Sequence, residues 1–133
     1  MAITNAERRP AVASILIVDD DHSVTDTFAR MLRLEGFTVY TALNPESGLE
    51  LAAQKRPRAI ILDLRMPILS GLQFLQLLRA QPKLHDIPVA IVTGDYFVDE
   101  TVTAQLKALG ASVKFKPLWL EDLVAIARTL LAA

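Results

Sequence analysis

The chain has 133 residues, which fits one domain with a sizeable core, and its 52% hydrophobic but only 6% aromatic content makes that core one of Leu, Ile, Val and Ala. A formal net charge of -1 argues against a dedicated nucleic-acid surface or an anionic-membrane anchor, both of which need clustered Lys and Arg. With no cysteine, disulfides, thiolate nucleophiles and Cys-based metal sites are excluded.

Residues 1–13 read as a mobile polar leader: Glu7, Arg8 and Arg9 interrupt any apolar stretch, so this is no secretory signal. No apolar run approaches the roughly 18 residues of a membrane span, and the cytoplasm is the expected compartment. From residue 14 to 133 one domain is expected, with strands and helices alternating. Ile15 to Val18 is a short β-branched run that stops at Asp19-Asp20-Asp21. Val24, Phe28, Met31 and Leu32 then share a helical face, with Gly36 as the stop. Thr38 to Ala42 is a weaker strand. Asn44-Pro45 is an N-cap with proline at the first helical position, and Leu49, Ala52 and Ala53 supply that helix's inner face.

The second apolar run, Ala59 to Leu62, stops at Asp63. Ser70 to Ala80 is a helix carrying Leu72, Leu75 and Leu78, ended by Pro82. Val89 to Val92 is the third apolar run, with Pro88 at its entrance and Thr93-Gly94 at its end. A helix over Val98 to Leu109, a weaker strand over Ser112 to Lys116 and a helix over Leu120 to Leu131 complete the alternation. Strands apolar on both faces suit a parallel sheet between two helical layers. Five strands and five helices in this order predict an α/β, doubly wound, flavodoxin-like sheet of order 2-1-3-4-5. Its functional crevice lies at the carboxyl ends of strands 1 and 3.

Those ends carry Asp19-Asp20 and Asp63. Crowded carboxylates cannot all stay ionised without compensation, and oxygen ligands with room for water suit magnesium. Asp20 and Asp63 are the expected carboxylate ligands, with Asp19 beside them, directly or through water. Asp21 is better explained as the cap of the first helix. Thr93 and Lys116 end strands 4 and 5 on the same rim. A carboxylate, a hydroxyl, an ammonium and a metal are what phosphoryl transfer to a carboxylate requires.

The motifs Ile15-Leu16-Ile17-Val18-Asp19-Asp20, Ile61-Leu62-Asp63-Leu64-Arg65-Met66-Pro67 with Gly71 following, Val92-Thr93-Gly94 and Lys116-Pro117 together resemble the receiver domain of two-component response regulators. The resemblance covers roughly residues 14–131. It implies that Asp63 is the phosphorylation site and that Asp19, Asp20, Asp63 and the backbone carbonyl of Arg65 hold Mg2+. It also implies that Thr93 contacts the phosphoryl group, that Lys116 pairs with it, and that the Lys116–Pro117 bond is cis. The implied donor is a phosphohistidine on a sensor histidine kinase or a histidine phosphotransfer protein, with small acyl phosphates as substitutes. Such a chain is a signalling module rather than a turnover enzyme, without direct nucleic-acid binding of its own. Many relatives dimerise on phosphorylation through the fourth helix, fifth strand and fifth helix.

One position departs from the pattern. Three residues before the lysine, where most receivers carry Tyr or Phe, stands Val113; Phe115 shares its face of the strand and is expected to pack as core. Leu118 and Trp119 are expected to pack at the start of the last helix. Arg65 and Asp95, each two residues past a site residue, are expected to flank the entrance and to pair across it. His22 and His85 read as surface residues. Two rival readings remain. A metal-dependent phosphatase with an Asp nucleophile would carry Asp-x-Asp after strand 1 and a cap domain. A phosphorylation-independent pseudo-receiver would have lost an acid, the Thr or the Lys, and none is lost.

Overall fold

A computed structural model describes residues 13–95 and 97–133 of the chain. The leader expected over 1–13 lies, except for Ala13, outside the described residues. The elements alternate as β1 (Ser14–Val18), α1 (His22–Leu34), β2 (Thr38–Ala42), α2 (Pro45–Lys55), β3 (Ala59–Leu62), α3 (Gly71–Arg79), β4 (Val89–Thr93), α4 (Glu100–Ala108), β5 (Ala111–Phe115) and α5 (Leu120–Leu131). The strands form one parallel sheet in the order β2-β1-β3-β4-β5. The expected architecture is therefore the observed one.

Each central strand divides its side chains between two cores because consecutive residues point to opposite faces. Leu16, Val18, Ile60, Leu62 and Ile91 pack under α2, α3 and α4, against Ala52, Phe74, Leu75, Leu78 and Leu106. Ile15, Ile17, Ile61 and Val92 face the other way, onto Phe28, Ala29 and Leu32 of α1 and Leu123, Ile126, Ala127 and Leu130 of α5. A strand buried on both sides has no place for a polar residue until it leaves the sheet, which puts the chemistry at its end.

The helix boundaries follow local signals. Gly36 takes φ 93° and lets its own N–H and that of Phe37 reach back to the carbonyls of Arg33 and Leu32, closing α1. Asn44 caps α2 through Ser47 N at 2.8 Å, with Pro45 in the first turn. Ser70 and Gln73 form a reciprocal capping box on α3. The fourth helix starts at Glu100 rather than Val98, since Asp99 accepts from Thr101 N at 2.7 Å and caps it.

Three packing expectations are corrected. Ala53 is exposed, because the buried face of α2 runs through Pro45, Gly48 and Ala52. Phe115 is 43% exposed and is not core. It shares a face with half-buried Val113 but sits at the open end of an edge strand. Trp119 is 69% exposed, and only Leu118 of that pair packs inward, onto the α1–α5 side.

Candidate functional site

Four strand ends build the site, each pinned by its backbone before the side chain leaves the sheet. Asp19 N donates to Ala42 O at 3.1 Å and Asp63 N to Val18 O at 2.9 Å, so both acids stand in line with the ladders of β1 and β3. Lys116 N donates to Thr93 O at 2.9 Å, which carries the lysine past β5 alongside the end of β4. The Lys116–Pro117 bond is cis, as the resemblance implied.

Carboxylate oxygens of Asp19, Asp20 and Asp63 all lie within 4.8 Å of one another. Asp19 and Asp63 are buried, and Asp20 is exposed at the mouth. Lys116 Nζ donates to Asp19 Oδ2 at 2.9 Å and stands 3.7 Å from Asp63 Oδ1. Asp19 Oδ1 also accepts from Asp21 N at 2.9 Å. Thr93 is fully buried. Its Oγ1 accepts from Asp95 N at 3.1 Å. Asp21 caps α1 by accepting from Ser23 N and Val24 N, the role expected of it.

Electrostatics follow from this crowding. Burial, then the charge of Asp19, push the Asp63 carboxyl up to about 6, against the opposing pull of Lys116. Burial draws Lys116 down, but the Asp19 hydrogen bond and the charges of Asp63 and Asp19 outweigh it and leave the ammonium above its ordinary value. Among the described residues, the one cation Lys116 thus faces the three acids. The set is oxygen-only and short of positive charge, with one open side, which is chemistry that a hard divalent ion completes.

Gly71 is demanded by close approach. A Cβ there would lie 2.5 Å from the carbonyl oxygen of Asp63 and 2.9 Å from Leu64 Cα, and Gly71 N donates to Leu64 O at 2.9 Å. The β3–α3 loop therefore folds back onto the strand end that carries the acid. On the outer rim Arg65 Nε donates to Asp95 Oδ2 at 2.8 Å, and its Nη2 bonds the same oxygen. The predicted pair is formed. The Phe97 N–H, then Arg65, hold the Asp95 carboxyl below the usual carboxylate range. His22 and His85 stand apart from the crevice as surface residues, beside Asp26 at 3.5 Å and the Pro82 carbonyl at 2.8 Å.

The sequence profile of the response regulator receiver domain matches residues 15–128. The chain belongs to this family. As a receiver domain of two-component response regulators, it is a signalling module. The transcriptional regulatory protein PrrA of Mycobacterium tuberculosis is 40% identical over 117 residues, a stretch that covers 88% of this chain and 49% of that protein. Response regulator MprA of Mycobacterium ulcerans is 39% identical over the same share of each. The chain spans about half the length of the curated relatives it matches. Among solved structures, the chemotaxis protein CheY4 of Vibrio cholerae superposes with a TM-score of 0.82 at 28% identity, over 90% of this chain and 99% of that one.

Two features of the receiver were not foreseen. Arg79 donates to Leu109 O at 2.8 Å and to Ile87 O at 2.6 Å, tying the end of α3 to the segments that enter β4 and β5. Ile68 stands fully exposed in the β3–α3 loop with φ 72°. The apolar pair Ile68-Leu69, set between Pro67 and Ser70 in a turn, was the signal that could have drawn attention to it.

Proposed function

We propose that this receiver accepts a phosphoryl group on Asp63 from a phosphohistidine of a sensor histidine kinase or a histidine phosphotransfer protein. The observation that carries this reading is the convergence of three carboxylates within 4.8 Å with Lys116 2.9 Å from Asp19 and 3.7 Å from Asp63. Asp63 is the nucleophile: a carboxylate oxygen forms the O–P bond as the P–N bond breaks, and the donor's imidazole, already protonated on its other ring nitrogen, leaves as neutral imidazole. Lys116, already paired with the acids, holds its charge toward the phosphoryl oxygens. The Thr93 hydroxyl, whose oxygen accepts from Asp95 N, keeps its own proton to donate to one of them.

The residues fit Mg2+. Carboxylates of Asp19, Asp20 and Asp63 and the backbone carbonyl of Arg65 would hold the ion, which would supply positive charge against the acids and the transferred group. Residues 14–133 serve as one receiver domain behind the leader 1–13, a module that labels and clears itself rather than turning over a substrate. It works in the cytoplasm with a protein donor, without contacting nucleic acid or membrane itself, and phosphorylation promotes a homodimer. No helix among the described residues is long and apolar enough to cross a membrane.

Incubation with a small acyl phosphate tests the reading by intact mass. A gain of one phosphoryl group with magnesium, absent without the metal and absent in Asp63→Asn, is expected. No gain under conditions that label a control receiver would overturn it.

A further inference from the structure

Ile68 is hard to account for by folding alone. It is fully exposed, so it contributes nothing to either core. Leu69 N donates to Pro67 O at 2.8 Å, which closes a three-residue turn with Ile68 at its centre and φ at 72°. A positive φ crowds Cβ against the neighbouring backbone, and a β-branched side chain suffers most. Asn or Gly would hold this turn with less strain and better solvation.

The same side chain borders a groove of about 550 Å³ between the β2–α2 and β3–α3 loops. Leu43, Leu49 and Leu69 supply its apolar wall, and Leu43 is itself exposed. Its polar rim consists of Asn44 and the acids Asp20 and Glu46, and no basic side chain among the described residues lines it. Asp20 belongs both to this rim and to the carboxylate cluster, so the groove is continuous with the site of chemistry. Whatever sits in the groove lies against the crevice where the phosphoryl donor must arrive. Its walls ask for an aliphatic side chain and its rim for a cation.

We propose that this groove seats the protein phosphodonor, which inserts an aliphatic side chain against Ile68 and sets a Lys or Arg beside Glu46. The proposal rests on the reading of Asp63 as phosphoacceptor. A small donor has nothing to place in the groove, so the two kinds of donor separate docking from chemistry. Strain at Ile68 is then retained for recognition.

The test compares labelling of the chain by phosphoramidate with transfer from a panel of autophosphorylated bacterial sensor-kinase cores. Ile68→Asn and Glu46→Lys are the variants, and thermal melting is recorded for each. Ile68→Asn is expected to melt at or above the wild-type temperature and to keep its phosphoramidate rate. Its kcat/KM for transfer from the fastest kinase core should fall about tenfold or more, the loss of one buried aliphatic contact. Glu46→Lys should also slow that transfer, and added salt should narrow its difference from wild type. Unchanged transfer from the kinase core in Ile68→Asn would overturn the proposal, as would an equal loss with both donors. A panel in which no core labels the wild type faster than phosphoramidate would overturn it too, since the groove would then give a protein donor no advantage. Failure of phosphoramidate to label the wild type sinks the phosphoacceptor reading instead.

Discussion

The interior of strands β1 and β3 and the residues just past their ends are alike in burial and opposite in chemistry. From Ile15 to Val18 and from Ala59 to Leu62 every side chain is apolar and at most 2% exposed. The next residues, Asp19 and Asp63, are carboxylates that remain at 4% and 7% exposure. One residue separates burial that stabilises the fold from burial that works against it. The strand interior serves the protein alone, whereas its end is left electrostatically incomplete, and on the proposed function a cation and a phosphoryl group complete it.

The largest expected effect breaks the interior. Ile60→Ala, in the middle of β3 and fully buried, removes three carbons beneath α2, α3 and α4. A loss of about 2–5 kcal/mol in unfolding free energy is expected from urea denaturation. The folded fraction should still take label on Asp63 at the wild-type rate, because Ile60 packs in an apolar cluster that contains none of the site residues. A variant that stayed folded but lost labelling would mean that interior and end are not separable.

The second effect has the opposite sign. The Asp63 carboxyl sits near 6 in the folded chain, above its ordinary value, so ionising it costs folding free energy. Below the unfolded-state value the group is protonated in both states and costs nothing; as pH rises through about 6 the folded state carries the full penalty. Without divalent metal at pH near 7.5, Asp63→Asn is therefore expected to stabilise the chain by up to about 3 kcal/mol. That gain should shrink steadily as the pH is lowered toward 4, and magnesium should shrink it at neutral pH by stabilising only the wild type. A variant less stable than wild type at pH 7.5 without metal would show that the Lys116 contact outweighs the burial of the charge.

The contrast also explains what could be read from the sequence. The interior runs were legible because a strand sealed between two helical layers has to be apolar throughout, and the acids at their ends were legible because the run stops there. The crevice followed from strand order, which brings residues 19, 20, 63, 93 and 116 to one edge although only Asp19 and Asp20 are neighbours in sequence. Edge positions were less legible. Phe115 obeys strand alternation yet lies half in solvent, because alternation gives the face of a sheet and not how far the helices extend over it. Trp119 stands at the N-cap of α5, where Asp122 reaches back to its N–H at 3.0 Å, and only Leu118 is drawn inward. Ala53 failed by one helical step. The turn at Ile68 left almost no trace, since an apolar residue in a left-handed conformation violates the preference by which turns are recognised.

The smallest expected effect concerns the rim. Arg65 bonds Asp95, Asp95 N bonds the Thr93 hydroxyl oxygen, and Asp95 Oδ1 accepts from Phe97 N at 2.9 Å. The two loops that flank Asp63 are thus joined at one carboxylate. Because the pair is largely solvent-exposed on the Arg65 side, removing it should leave the stability of the fold almost unchanged in urea denaturation. Its consequence should instead appear in the lifetime of the phosphorylated chain, since on the proposed function loops joined in this way would hinder the water that attacks the aspartyl phosphate. Arg65→Ala with Asp95→Ala, labelled with a small acyl phosphate and followed by intact mass after the donor is removed, is expected to lose its phosphoryl group several-fold faster than wild type. An unchanged lifetime would reduce the pair to two exposed charges, and the incomplete end of the sheet would then need no cover of its own.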